Sequence, residues 1–161
     1  MSVNCELFLE CTTLVIAIAA FVLSYVEYTK HKKRTRIEIL CRYNERYQSD
    51  HELSKVVRYL EKIENPLKEG EKNEQPDRHS VEMYMRFYEE LYFLIKANSI
   101  KKEIVYYMFG HYVLVFEEHF THLADWENQL GYQEEYWKVF RQFVNLMKEE
   151  KKSGLNKIYN M

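Results

Sequence analysis

The sequence predicts an all-α fold, with an N-terminal transmembrane helix continuing into a cytoplasmic four-helix bundle. Three observations carry this. Residues 7–26, LFLECTTLVIAIAAFVLSYV, hold a single charge, Glu10. The run KHKKRTR follows soon after, with Lys30, Lys32, Lys33, Arg34 and Arg36. Beyond residue 30, apolar residues recur at helical spacing with no strand-like alternation. The expected division is residues 1–29 as a membrane segment and residues 30–161 as the bundle.

The membrane element comes first. Its uncharged part, residues 11–26, is shorter than the ~20 residues that cross a bilayer, so the span must reach back past Glu10. Tyr25 and Tyr28 stand where an interfacial aromatic belt would be. No Lys or Arg precedes the span, so the basic run after it places the C-terminal part in the cytoplasm. A signal peptide carries its basic residues first, and this chain retains Met1, so cleavage is not expected. A buried core helix of a soluble protein is the competing reading of the same run.

At 100° per residue, Glu6, Glu10, Thr13, Ala17, Ala20 and Ser24 share one stripe of this helix. Two carboxylates facing lipid would cost several kcal/mol. A stripe of small and polar residues suits close helix–helix contact or a wet lumen, and one isolated helix supplies neither. Homo-oligomerisation around that stripe is one reading. In the other, Glu6 and Glu10 stand above the membrane at the outer surface.

In the cytoplasmic part, the first helix is expected to continue through Ile37, Leu40, Cys41 and Tyr47. Ser49-Asp50-His51-Glu52 reads as a capping box that starts a second helix. Leu53, Val56, Val57, Leu60 and Ile63 form its apolar stripe, and Asn65-Pro66 stops it. Residues 66–78 read as a polar surface loop. A third helix is expected over residues 80–97, apolar on several faces and therefore central. A fourth covers 101–123, a turn with Gly131 as its break covers 124–131, and a fifth helix covers 132–152. Gly154 is expected to end the fifth.

Composition narrows function. With 161 residues, 47% apolar, 30% charged, 4 Gly and 2 Pro, the chain is neither collagen-like nor disordered. A net charge of −2 excludes a globally basic nucleic-acid binder. Cys5, Cys11 and Cys41 have no metal-ligand spacing, so no structural metal is expected. Walker, G-x-G-x-x-G, H-E-x-x-H and G-x-S-x-G patterns are absent from the sequence, and no cofactor is expected.

Two constellations remain. Arg46-Tyr47-Gln48-Ser49-Asp50-His51 is an R-x4-H motif, the spacing of HEPN-type ribonucleases. There an imidazole moves the 2′-hydroxyl proton and a guanidinium holds the scissile phosphate. For 8 Arg and 6 His in this length, chance alone gives ~0.3 matches. Tyr47 departs from the Asn that active members often carry after the Arg, and the motif falls early in the bundle. The balance is therefore against an enzyme, and an interhelical turn with a surface Arg and a capping His explains the same residues. The second constellation is His111, Glu118 and His122 on one stripe of the fourth helix, with Asp125 at its edge. His111 and His122 are ~16 Å apart along the axis, too far for one ion, so a hydrated flank or a subunit contact is the better reading.

Membrane helix, basic run, small helical domain and divergent R-x4-H together resemble the membrane accessory protein encoded beside the RNA-guided RNase effector of type VI-B CRISPR systems. The resemblance implies an HEPN-like bundle and a ring-like homo-oligomeric pore in the bacterial inner membrane. It also implies that depolarisation through that pore enhances antiviral defence by the effector. The implied partners are further copies of the chain, the lipid bilayer and, through function, the effector, with RNA as a candidate. Ribonuclease activity from Arg46 and His51, or a non-catalytic membrane scaffold, are the alternatives.

Overall fold

The computed structural model describes residues 3–65, 75–120 and 137–159, with side chains described over 12–65, 75–120 and 137–154. Among the described residues there are five helices and no strand: α1 Val3–Ser49, α2 His51–Glu64, α3 Arg78–Lys96, α4 Lys102–His119 and α5 Lys138–Tyr159. The chain divides into two compact units, Met1–Cys41 and Arg42–Met161. The expected boundary at residues 29 and 30 marks where lipid-compatible composition ends. The second compact unit begins only after Cys41.

In the first unit, residues 14–23 of α1 are apolar on every face of the helix, and every side chain from Thr13 to Thr35 is exposed. Phe21 is 73% exposed, and Leu14, Ile16, Ile18 and Leu23 are exposed to a similar degree. A helix apolar on all sides belongs inside a protein core or a membrane. Here no other described residue covers it. By length and composition, α1 alone among the described helices could cross a bilayer.

In the second unit, α2 and α5 each pack against both α3 and α4. The core is aromatic. Tyr84, Phe87, Tyr88, Phe109, Phe116 and Phe143 are fully or almost fully buried, lined by Leu53, Val56 and Leu60 of α2. Helix α3 is central as expected, since Met85 and Phe87 are buried beside Tyr84, Tyr88 and Leu91. Phe93, one turn from its end, is not.

Local signals set the helix ends. Helix α1 stays helical through Ser49, so the cap of α2 is Asp50, one residue after the expected capping-box serine. Asp50 is extended (φ −72°, ψ 121°), and its carboxylate accepts from the Glu52 and Leu53 amides at 2.9 and 3.3 Å. Glu52 does not reach back to close the box. It pairs with Lys55 at 3.0 Å instead. Replacing Asp50 with alanine orphans two amides and is expected to cost about 1 kcal/mol, read as a lower thermal midpoint of the full chain in detergent.

Asp77 caps α3 by accepting from the Ser80 amide at 2.9 Å, which starts that helix at Arg78, slightly earlier than expected. At its other end the Asn98 amide donates to Ile95 O and the Ser99 amide to Leu94 O, both at 2.9 Å. This is a Schellman closure, with Asn98 in the left-handed region (φ 54°) that asparagine tolerates. Helix α4 ends at His119 with Phe120 as cap, short of the expected residue 123. The expected turn at 124–131 and the start of the fifth helix at 132 lie outside the described residues, as does most of the expected loop 66–78.

Gly154 does not end α5, which continues to Tyr159. A glycine terminates a helix when it takes a left-handed φ, and Gly154 does not. Inside the helix it costs only ~1 kcal/mol against alanine, and the surrounding Lys and Leu residues favour the helix.

The starts of α2 and α3 are clamped together. The buried Ser80 hydroxyl serves two carboxylates, Glu52 Oε2 at 2.5 Å and Asp77 Oδ2 at 3.0 Å, and Lys55 Nζ lies 3.3 Å from Asp77. Hydrogen bonds from Ser80 and Lys55 hold Glu52 below the usual carboxylate range. Bonds from the Ser80 amide and hydroxyl lower Asp77 to about 2. Because both values are lower folded than unfolded, the clamp is fully stabilising above the ordinary carboxylate range. It is lost as pH falls from there towards about 2. The thermal midpoint should therefore drop across that acid window, and Ser80→Ala should flatten the drop.

Candidate functional site

Two sets of residues could carry function, the stripe of α1 and the turn that joins α1 to α2. On the stripe, Thr13, Ala17, Ala20 and Ser24 are all exposed within the chain. The Ser24 hydroxyl donates to Ala20 O at 2.9 Å, so it is satisfied inside its own helix and can enter an apolar environment cheaply. Thr29 does the same with Val26 O at 2.8 Å. Glu6 and Glu10 fall within the helical span of α1, but their side chains lie outside those described.

Below the stripe, Tyr25 and Tyr28 are exposed, as are Lys30, Lys32, Lys33 and Arg34. This is the order in which a span, an aromatic belt and a headgroup-facing basic collar would follow one another. Arg36 differs: it is half-buried and engaged within the protein.

At the turn, Arg46 lies in the last turn of α1 and His51 is the first residue of α2. The helix boundary brings them near in sequence, but no hydrogen bond or ring contact joins them. The Arg46 guanidinium donates through Nη1 to Glu90 Oε2 at 2.6 Å and lies over the Phe87 ring at 5.7 Å. Its Nε is 4.0 Å from Asp50. The Tyr43 hydroxyl donates to the same Glu90 oxygen at 3.0 Å. Desolvation, then the bond to Glu90, raises Tyr43 above its ordinary value. The guanidinium that a phosphate would need is thus already held by a carboxylate. The His51 imidazole is exposed and makes no hydrogen bond or ion pair with another described residue, while the His51 carbonyl accepts from the Ser54 hydroxyl at 2.8 Å.

Tyr47, where active HEPN members often carry Asn, is a core side chain. Its ring lies 5.4 Å from both Phe87 and Phe109. Its hydroxyl is buried without a well-formed hydrogen bond, close enough to the hydroxyls of Tyr84 and Tyr88 for the three to influence one another. Burial pushes Tyr47 up to about 12. Tyr84 shares a 3.2 Å contact with Tyr88, which donates to Phe109 O at 3.3 Å.

On α4, His111 meets Glu64 of α2 at 2.9 Å and Tyr112 donates to Glu61 at 3.1 Å. His111 is therefore part of an interhelical contact. Among the described residues, no three metal-ligating side chains cluster. Glu118 and His119 are exposed, while His122 and Asp125 lie outside the described residues.

Sequence reasoning missed Glu90, which organises Arg46 and Tyr43. A glutamate in the half-buried register of the central helix was a signal, but nothing in a single chain names its distant partner. No known family model, curated protein or solved structure matches the chain.

Proposed function

We propose that α1 anchors the chain as a single span in a bacterial inner membrane, with the bundle in the cytoplasm, and that copies close into a ring-like homo-oligomeric pore. The observation that supports this best is the exposed apolar surface of residues 14–26 of α1, which no other described residue covers. Acyl chains satisfy it on one side, neighbouring copies would pack along its flanks, and the small-residue stripe of Thr13, Ala17, Ala20 and Ser24 would line the pore. Glu6 and Glu10, on the same stripe, would then face a wet lumen and favour cations. Each charge moved through ~100 mV releases ~2.3 kcal/mol, so an open pore depolarises the membrane without fuel. The gate is then the regulated element, with the bundle as the place for a signal to act.

The sequence resemblance extends this reading to antiviral defence, with depolarisation assisting an RNA-guided RNase effector and the bundle taking an HEPN-like form. Ribonuclease chemistry is not part of it, because Glu90 holds Arg46 and Tyr47 belongs to the core.

The test is conductance of the purified full chain in planar bilayers. A cation-selective current is expected, losing selectivity when Glu6 and Glu10 are both changed to Gln. Inserted protein that neither assembles nor conducts would contradict the pore. An unchanged selectivity in the double variant would remove the two carboxylates from its lumen.

A further inference from the structure

Beyond its apolar segment, α1 does not carry charge evenly around its axis. Residues three and four apart share a face of a helix. Val15, Ile18, Val22, Val26, Lys30 and Lys33 follow one another at that spacing on one continuous helix, inside the first compact unit. All six are exposed. Neither lysine forms an ion pair with another described residue.

The small-residue stripe continues differently. From Ala20 and Ser24 it runs on to Glu27, His31 and Glu38, again at helical spacing, and these three are also exposed. At ~100° per residue, Lys30 and Lys33 lie on the side roughly opposite that stripe, with Lys32 and Arg34 on the flanks between. Both carboxylates of residues 27–38 therefore fall on the stripe side. The face that prolongs the apolar stripe of Val15 to Val26 carries cations alone.

We propose that Lys30 and Lys33 form a binding face for the headgroups of anionic phospholipids, on the side of α1 turned to lipid. Lys30 comes about one turn, ~6 Å, after Val26, so a lipid lying along Val22 and Val26 brings its phosphate to the level of the ammonium groups. The lysine stems extend the apolar stripe while their heads reach the phosphates. Charge selects among lipids. Phosphatidylcholine brings its own trimethylammonium, which a lysine repels, whereas phosphatidylglycerol offers its phosphate with no cation beside it. Glu27 and Glu38 would repel the same anionic lipid, which suits a side turned away from it. Nucleic acid is a poorer fit, because no aromatic side chain stands on this stripe for a base to stack on. The inference rests on α1 being a membrane anchor whose small-residue stripe faces away from lipid.

The experiment uses the full chain reconstituted in phosphatidylcholine vesicles. These hold a trace of phosphatidylcholine or phosphatidylglycerol with a nitroxide near the end of one acyl chain. The motionally restricted part of the spin-label spectrum reports lipid held against the protein. Phosphatidylglycerol is expected to be preferred about five-fold or more. K30Q with K33Q should remove most of that preference, as should salt of about 1 M. K32Q with R34Q, which removes as much charge from the flanks, should leave most of it. Equal restriction of the two lipids overturns the lipid face while leaving the anchor intact. Equal losses in the two double variants assign the selectivity to net charge and overturn the face. Equal restriction, with a labelled single-stranded RNA bound by the vesicles and lost in K30Q with K33Q, overturns it in favour of nucleic acid. Absence of a restricted component with either lipid overturns the anchor and the lipid face with it.

Discussion

Phe87→Ala is expected to remove about 3–5 kcal/mol of stability, the usual cost of emptying a large aromatic site in a core. Phe87 is fully buried. Its ring lies 5.3–5.7 Å from those of Tyr43, Tyr47, Tyr88 and Phe109, and the Arg46 guanidinium sits over it. Tyr43 and Arg46 cannot move into the void without breaking their bonds to Glu90, which limits how far the site relaxes. A domain of this size has a total stability of roughly 5–15 kcal/mol, and the loss is a large share of it. Chemical unfolding of the full chain in detergent, followed by near-ultraviolet circular dichroism, measures the effect. Phe93→Ala is the matched control. Phe93 is an aromatic of the same helix with most of its surface in solvent, and its loss should fall within about 0.5 kcal/mol. Equal losses at both positions would mean that the aromatic cluster does not organise the bundle.

The second large effect concerns α1. Arginine near the middle of a span costs ~2.5–3.5 kcal/mol on insertion scales. Ile18→Arg with Phe21→Arg together should therefore abolish stable insertion of an already short span. Both positions are exposed, so neither change disturbs packing within the chain. The double variant should leave the membrane pellet under alkaline extraction, while its bundle keeps the wild-type unfolding transition. Retention of the variant in the pellet would mean that something other than the span holds the chain there.

The long helices were legible because their signals are local. The apolar repeat of Val105, Phe109, Val113 and Phe116 follows directly from helical periodicity, and Asn65 before Pro66 stops α2 where expected. The ends were read less well because caps compete. Ser49 and Asp50 are both good cap residues, and the choice between them depended on how far α1 continued. Gly154 has the composition of a terminator without the backbone angle of one. The candidate site was legible only as residue types. Arg46 was visible as a cation in a motif, but its commitment to Glu90 depends on packing of α1 on α3, a long-range contact that no local pattern encodes. Tyr47 was visible as a departure from the motif. Its reason, an aromatic seat between Phe87 and Phe109, is again tertiary.

The central claim is that the uncovered segment of α1 lies in lipid. Single cysteines placed along α1, in a chain otherwise free of cysteine, can be reacted in intact cells with a maleimide that does not cross membranes. Positions 14, 15, 18, 22 and 23, which lie off the small-residue stripe, should resist the reagent before and after the cells are opened, and positions 30 to 34 should react only after opening. Uniform reactivity along 14 to 26 once the cells are opened, as for a helix bathed in water, would contradict it.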